Sequence, residues 1–252
     1  MRILVVNDDG INEEGVQILL DVLKERHDVW AIAPDKNRSG VSNGITMKNP
    51  LCLHKIAEKK YTCSGLPVDC TIEGCKGFLD FTPEVVLSGI NRGANIGTDI
   101  LYSGTAAGAR QSSLYNIPGI AVSLEKGNGE WNFKPLAEFV LDNLEELCSL
   151  CEKNIFVNIN AHSIRQDEVY KGVKMTVPAI RDYCDGLDFY KANDRDTYSF
   201  FKGGDIHTEF GENTDNYAVD SGFISVSQIY AQPIAKNGDT IPSFTLRRQY
   251  YG

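Results

Sequence analysis

The chain contains no run of about 18 apolar residues, the length a helix needs to cross a bilayer, so no membrane span is expected. It is poor in histidine. His27, His54, His162 and His207 match neither an HxxxH nor an HxH spacing, which argues against a zinc site. It also lacks basic charge: 25 Lys and Arg stand against 34 Asp and Glu, for a net charge of −9. A nucleic-acid polymer is held by clustered Lys and Arg, so no such partner is expected. A small phosphate ligand stays possible, because one local cation can balance it. No G-x-G-x-x-G follows the first apolar segment; Gly10-Ile11-Asn12-Glu13-Glu14-Gly15 stands there instead, which speaks against a dinucleotide-dependent oxidoreductase. The N-terminus shows no signal-peptide pattern, and a cytoplasmic location is expected. The seven cysteines are odd in number and read as reduced thiols. Cys148-Ser-Leu-Cys151 has CxxC spacing but no second CxxC, and packing is the expected role. No internal repeat and no low-complexity tract is visible.

What is present is a chain of 252 residues with 42% hydrophobic content, enough to bury a large core. Strand-like and helix-like segments alternate through its first part. Arg2–Val6, Asp28–Ala33, Pro83–Ile90, Gly119–Leu124 and Ile155–Ile159 read as buried strands. Between them, Glu13–Arg26, a segment from Pro67 to about Gly77, Ala106–Tyr115 and Leu136–Glu152 read as helices. This order predicts an α/β fold: a Rossmann-like, doubly wound, mostly parallel sheet with helices on both faces. The alternation stops after Ala161. Residues 170–210 read as β-hairpins or an extended arm used in oligomerisation, or as a cover over the site. One strand, Gly222–Ser227, follows. The expected division is a core over 1–165 carrying the active site and a C-terminal part over 166–252 with the arm and a return to the core.

In an open α/β sheet, ligands gather beyond the carboxyl ends of the strands. The first strand ends in Asn7-Asp8-Asp9-Gly10. Two adjacent carboxylates repel each other unless a cation or a proton intervenes. Ser39 lies in the loop after the second strand, and Asn91 and Asn95 in the loop after Pro83–Leu87. Two carboxylates, a hydroxyl and an amide form a hard oxygen set suited to Mg²⁺ or Mn²⁺. Ser103-Gly104-Thr105 opens an Ala-rich helix and offers free N–H groups, a helix dipole and two hydroxyls to an anion. Gly93 and Gly97 allow the backbone a close approach to a ligand. Each piece also has a bland reading: a turn, a polar loop, an N-cap, or, for Lys36, Arg38 and Arg92, a solvated surface. Their joint placement at strand ends is what favours the functional one.

The segments Arg2–Ile11, Ala33–Gly40, Ser88–Gly97 and Tyr102–Ala107 resemble, in order and spacing, those of the SurE (survival protein E) family of 5′/3′-nucleotidases. The resemblance implies a divalent-metal-dependent acid phosphohydrolase acting on nucleoside monophosphates. It implies Asp8, Asp9, Ser39 and Asn91 as ligands of one metal ion per subunit. It implies Asn95 and the Ser103-Gly104-Thr105 turn as the phosphate cradle. It also implies a homodimer or homotetramer built through exchanged C-terminal elements. The chain departs from the family at Leu66 and Val68, which flank Pro67 where Thr and Ala are usual.

In the mechanism this suggests, Asp8 is a direct ligand, and Asp9 is a ligand or orients or deprotonates the attacking water. Arg92 adds a cation if it points inward. A covalent aspartyl-phosphate on Asp8 is disfavoured, because such enzymes show Asp-x-Asp where this chain has Gly10 in the third place. The alternative of another class is a non-catalytic nucleotide or metal sensor on the same fold.

Overall fold

The computed structural model of the protein describes residues 1–127, 130–209 and 211–234. Its centre is a nine-stranded sheet of order β3-β4-β2-β1-β5-β6-β7-β13-β8. The strands are β1 (Arg2–Val6), β2 (Asp28–Pro34), β3 (Leu53–Ala57), β4 (Lys60–Cys63), β5 (Val85–Arg92), β6 (Gly119–Glu125), β7 (Ile155–His162), β8 (Val173–Thr176) and β13 (Ile224–Tyr230). From β4 to β7 all neighbours are parallel. At one edge β3 pairs antiparallel with β4, and near the other β13 runs antiparallel to β7.

The strands form here because both faces are covered. Ile3, Leu4, Val5 and Val6 are all fully buried, and so are Val85, Val86 and Leu87. A strand buried on both faces reads as a continuous apolar run, and these two do. One face is packed by α1 (Glu14–Leu23) and α4 (Lys134–Asp142), whose Val16, Leu19, Leu20 and Leu23 and Leu136, Ala137 and Val140 join the largest core cluster. The other face is packed by α2 (Pro67–Cys75) and α3 (Gly104–Leu114). Small residues let α3 lie close to the sheet: a Cβ at Gly108 would stand 2.8 Å from Ser88 Oγ.

Two expectations are corrected. The predicted helix Leu136–Glu152 is two helices, α4 and α5 (Leu144–Ser149), broken at Asn143, whose side-chain amide donates to the Phe139 carbonyl at 2.8 Å. That local bond competes with helix continuation. Part of the predicted arm, β8, joins the main sheet. The rest is a projection made of β9 (Arg181–Tyr183) paired with β12 (Ile206–Thr208), and beyond it β10 (Gly186–Lys191) paired with β11 (Thr197–Lys202). The short helix α6 (Asp215–Asp220) then leads back into β13. Leu66 offers no side-chain cap to α2, and Asp69 accepts from its backbone N–H at 2.8 Å instead.

Candidate active site

The chain leaves β1 toward β2 on one side and returns at β5 on the other. The crevice between the carboxyl ends of β1 and β5 is therefore the topological switch point, where ligands of such sheets bind. Asp8 and Asp9 follow β1, and Asn91 and Arg92 end β5. A cleft of about 1220 Å³ opens here, and its lining includes Asp8, Asp9, Ser39, Asn91, Arg92, Asn95 and Ser103. Gly104 and Thr105 are the first residues of α3 and follow Ser103, but they pack behind the cleft lining, against Asp8.

The turn is built from its own residues. The Asn7 side-chain amide donates to the Gly10 carbonyl at 2.9 Å and closes the loop. Asp8 is buried, and the Thr105 hydroxyl donates to its Oδ1 at 2.5 Å. A Cβ at Gly104 would lie 2.8 Å from Asp8 Cβ and 2.9 Å from Asp8 Oδ2, so only glycine lets α3 begin against this carboxylate. Burial pushes the Asp8 carboxyl up to about 6; the Thr105 hydrogen bond pulls it down and the neighbouring Asp9 pushes it up again.

Asp9 is half-buried and holds three segments together. Its Oδ1 faces the Asn37 amide at 3.2 Å and the Ser39 hydroxyl at 3.5 Å, and its Oδ2 accepts the Arg92 backbone N–H at 3.2 Å. The Arg38 backbone N–H donates to the Asp8 carbonyl at 2.7 Å, which docks the Ser39 loop on the turn. The Asn91 amide nitrogen donates to the Gly93 carbonyl at 2.8 Å, leaving its oxygen as the group available to a cation.

The cradle side differs from expectation in detail. The Ser103 hydroxyl accepts from the Ala106 N–H at 3.0 Å as the N-cap of α3, and the Thr105 hydroxyl is engaged by Asp8. Arg92 does not point its charge at the carboxylates: its guanidinium lies over Trp131, 5.1 Å from the ring centre. Arg38 reaches Asp35 at 3.2 Å and the Ser64 carbonyl at 2.9 Å, a structural use. Gly97 makes a close approach to protein, not to a ligand. Its φ is +55°, and a Cβ there would stand 2.2 Å from the Ala179 carbonyl oxygen at the base of the arm.

Around the expected Asn95, several residues that the sequence reading does not single out complete the surroundings. Asn95 is buried; its N–H donates to Asn160 Oδ1 at 2.8 Å and its side-chain amide to Ser123 Oγ at 2.8 Å. Its carbonyl accepts from Asn158 at 2.9 Å and from Asn160 at 3.0 Å. Two asparagines two positions apart in the apolar strand Phe156-Val157-Asn158-Ile159-Asn160 were the available signal. Arg181 and Asp99 form an ion pair on the cleft wall, and Tyr183 and Phe201 of the arm line the same cleft.

The profile of the family described as "Survival protein SurE" matches residues 3–185. A protein of Kosmotoga olearia named 5′-nucleotidase SurE is 38% identical over 240 residues, covering 92% of this chain and 92% of that protein. One of the same name from Nitrosomonas europaea is 36% identical over 230 residues, covering 91% of this chain and 92% of its own. The crystal structure of the SurE protein from Aquifex aeolicus superposes with a TM-score of 0.76 at 32% identity, covering 92% of this chain and 94% of that one. The switch-point carboxylates, the doubly wound sheet and these similarities agree: the chain belongs to the SurE family.

Proposed function

We propose that this chain hydrolyses nucleoside 5′- and 3′-monophosphates to nucleoside and phosphate at the Asp8–Asp9 cleft, with one divalent cation, Mg²⁺ or Mn²⁺, per subunit. Kinship with proteins named 5′-nucleotidase supports the reaction class. The observation that carries the site is the buried Asp8 pressed against the start of α3 with Asp9 beside it. No Lys or Arg side chain forms an ion pair with either carboxylate among the described residues. No cluster of three His, Cys, Asp or Glu side chains suited to a metal exists there either. A cation in this cleft is thus held by two carboxylates with neutral oxygens, and Asp8, Asp9, Ser39 and Asn91 supply that hard set. When bound, it supplies Lewis-acid polarisation of a phosphoryl oxygen and an acidified water.

The protein's own groups do the rest. Thr105 fixes the Asp8 carboxylate, and Asn37, Ser39 and the Arg92 N–H fix Asp9, so neither must reorganise during the reaction. The Ser103 hydroxyl spends its lone pair on Ala106 and keeps its proton for a phosphate oxygen. Asn95 spends one amide hydrogen on Ser123 and keeps the other. Both line the cleft, and donors there suit the charge that spreads over the equatorial oxygens in phosphoryl transfer.

The core over 1–165 carries this site, and the part over 166–252 adds the arm. Its β10–β11 hairpin, bare on both faces, fits a role in a homodimer or homotetramer. The experiment that tests the function is phosphate release from a panel of nucleoside monophosphates, with and without chelator, for the wild type and Asp8→Asn. Release that requires the metal and Asp8 is the expected result; equal release in all samples discards the proposal.

A further inference from the structure

We infer that Asp215 is a positioning residue that locks the base of the arm to the loop carrying Asn91 and Asn95, so that the seating of the arm sets the geometry of the phosphate cradle. The inference rests on the phosphoester-hydrolysis reading of that cleft. Asp215 is the first residue of α6 and is fully buried, although it is 118 positions away from the loop it touches. Its Oδ2 accepts the Gly97 N–H at 2.8 Å. Its Oδ1 accepts the Ala179 N–H at 2.8 Å and the Asn216 N–H at 2.8 Å.

An ionised carboxylate accepts from two chain segments at once, where an amide side chain offers a single acceptor oxygen. Isolating a charge from water is costly, and N–H donors on each side offset that cost. The residue type is therefore matched to bridging two backbones.

Two further contacts join the same segments. Thr98 Oγ1 accepts the Arg181 N–H at 3.0 Å, and the Arg181 guanidinium pairs with Asp99. The Gly97 backbone passes so close to Ala179 that no side chain fits between them. Gly97–Asp99 and Ala179–Arg181 thus move as one body. On one side that body continues two residues back into Asn95, and on the other into β9 and the cleft wall of Tyr183 and Phe201. A shift of about 1 Å in groups that hold a reacting phosphate costs up to about a hundredfold in rate.

The test is Asp215→Asn in the full chain, which keeps size and the start of α6 but presents an NH₂ either to the Gly97 N–H or to the Ala179 and Asn216 N–H groups. For nucleoside monophosphate hydrolysis, kcat falls about ten- to a hundredfold with KM within about threefold. Mn²⁺ affinity at Asp8–Asp9 stays within about threefold of wild type, because Asp215 touches neither carboxylate. Independently of activity, amide hydrogen exchange loosens together in residues 95–99 and 177–183. Unchanged kcat at a temperature where the variant is folded overturns the inference, as does loosening confined to 177–183. If the wild type itself releases no phosphate, the nucleotidase reading fails, and the exchange data alone then decide whether the two segments are locked.

Discussion

Strands β5 and β11 are both short and rich in branched or aromatic side chains, yet one is sealed and the other bare. Val85, Val86 and Leu87 of β5 are completely buried between neighbouring strands and helices on both faces, whereas every residue of β10 and β11 is exposed, Phe201 by 73%. Within the hairpin the main aromatic contact is a cross-strand edge pair, Tyr190 on Phe200 with centres 5.5 Å apart. A lone two-stranded ribbon is marginal in water, and every side chain of this one is exposed. The difference teaches where this molecule keeps its functions. The sealed strands hold rigid carboxylates at their ends, and the bare ones leave apolar surface exposed and give one wall to the cleft.

The sealed region breaks most completely at Asp8. Asp8→Asn is expected to lower metal-dependent phosphate release by about a thousandfold or more, since the proposed cation site loses one of its two negative charges. The same change is expected to stabilise the metal-free protein. Burial holds the Asp8 carboxyl near 6 in the folded state against 3.8 when unfolded. A carboxyl raised in this way contributes stability that is fully present below about pH 4 and lost as pH rises through 6, so at neutral pH ionised Asp8 costs about 3 kcal/mol. In chelator, the wild type should therefore melt lower at pH 7.5 than Asp8→Asn, with the gap closing toward pH 4.5. A variant that melts no higher than wild type at pH 7.5 would show that Asp8 is not strained by burial.

Gly104→Ala probes the same corner with a single methyl. The new Cβ falls within 3.0 Å of Asp8 Cβ, Asp8 Oδ2 and Pro67 Cγ. The carboxylate must shift, and a loss of about ten- to a hundredfold in kcat is expected, with the fold retained because φ at Gly104 is not in the left-handed region. Wild-type kcat in the alanine variant would mean that the contact is soft and the start of α3 does not set the position of Asp8.

Much of this contrast was legible in the chain itself. Period and punctuation revealed β1, β2, β5, β6 and β7, because buried parallel strands are continuous apolar runs ended by Pro, Gly or Asp. The strand ends then pointed to Asp8, Asp9, Ser39 and Asn91, since a doubly wound sheet collects them at one edge. Side-chain direction was not legible. Arg92 carries the right charge at the right edge, but its guanidinium prefers the face of Trp131, a partner about forty residues away that no spacing rule connects to it. Nor was Asp215 visible, because its value lies in accepting from Gly97 and Ala179, two backbones brought together only by the tertiary fold. The break at Asn143 is local, but an asparagine in a helical pattern looks the same whether its amide turns to solvent or to Phe139.

The bare region is expected to respond in association, not in catalysis. Phe189 is 66% exposed in this subunit, and covering a phenylalanine is worth about 2 kcal/mol. Phe189→Ser should weaken self-association about thirtyfold, read as a concentration-dependent fall in mass by light scattering. Mn²⁺ affinity should stay at the wild-type value, since Asp8 and Asp9 are held by β1, α3 and β5. An unchanged mass across a hundredfold dilution would show that this face of the hairpin is not the interface.

The smallest effect concerns the thiols, and it samples both regions in one measurement. Cys184 is exposed in the arm, while Cys148 and Cys151 are partly buried behind the core sheet. Burial pushes the Cys148 thiol up to about 12 and the Cys151 thiol up to about 11, although the Gly119 carbonyl, 3.4 Å from Cys151 Sγ, gives that sulfur a hydrogen-bond partner. Thiolate is the form that attacks alkylating agents and binds zinc, and neither group supplies it at neutral pH. Native protein treated with iodoacetamide at pH 7.5 should label Cys184 well before Cys148 or Cys151. Cys151→Ala should leave phosphate release unchanged and cost about 1 kcal/mol of stability, the loss of a small buried group. Equal labelling rates for the three would mean that the helix α5 edge opens as freely as the arm, and the division between a sealed core and a bare projection would no longer hold.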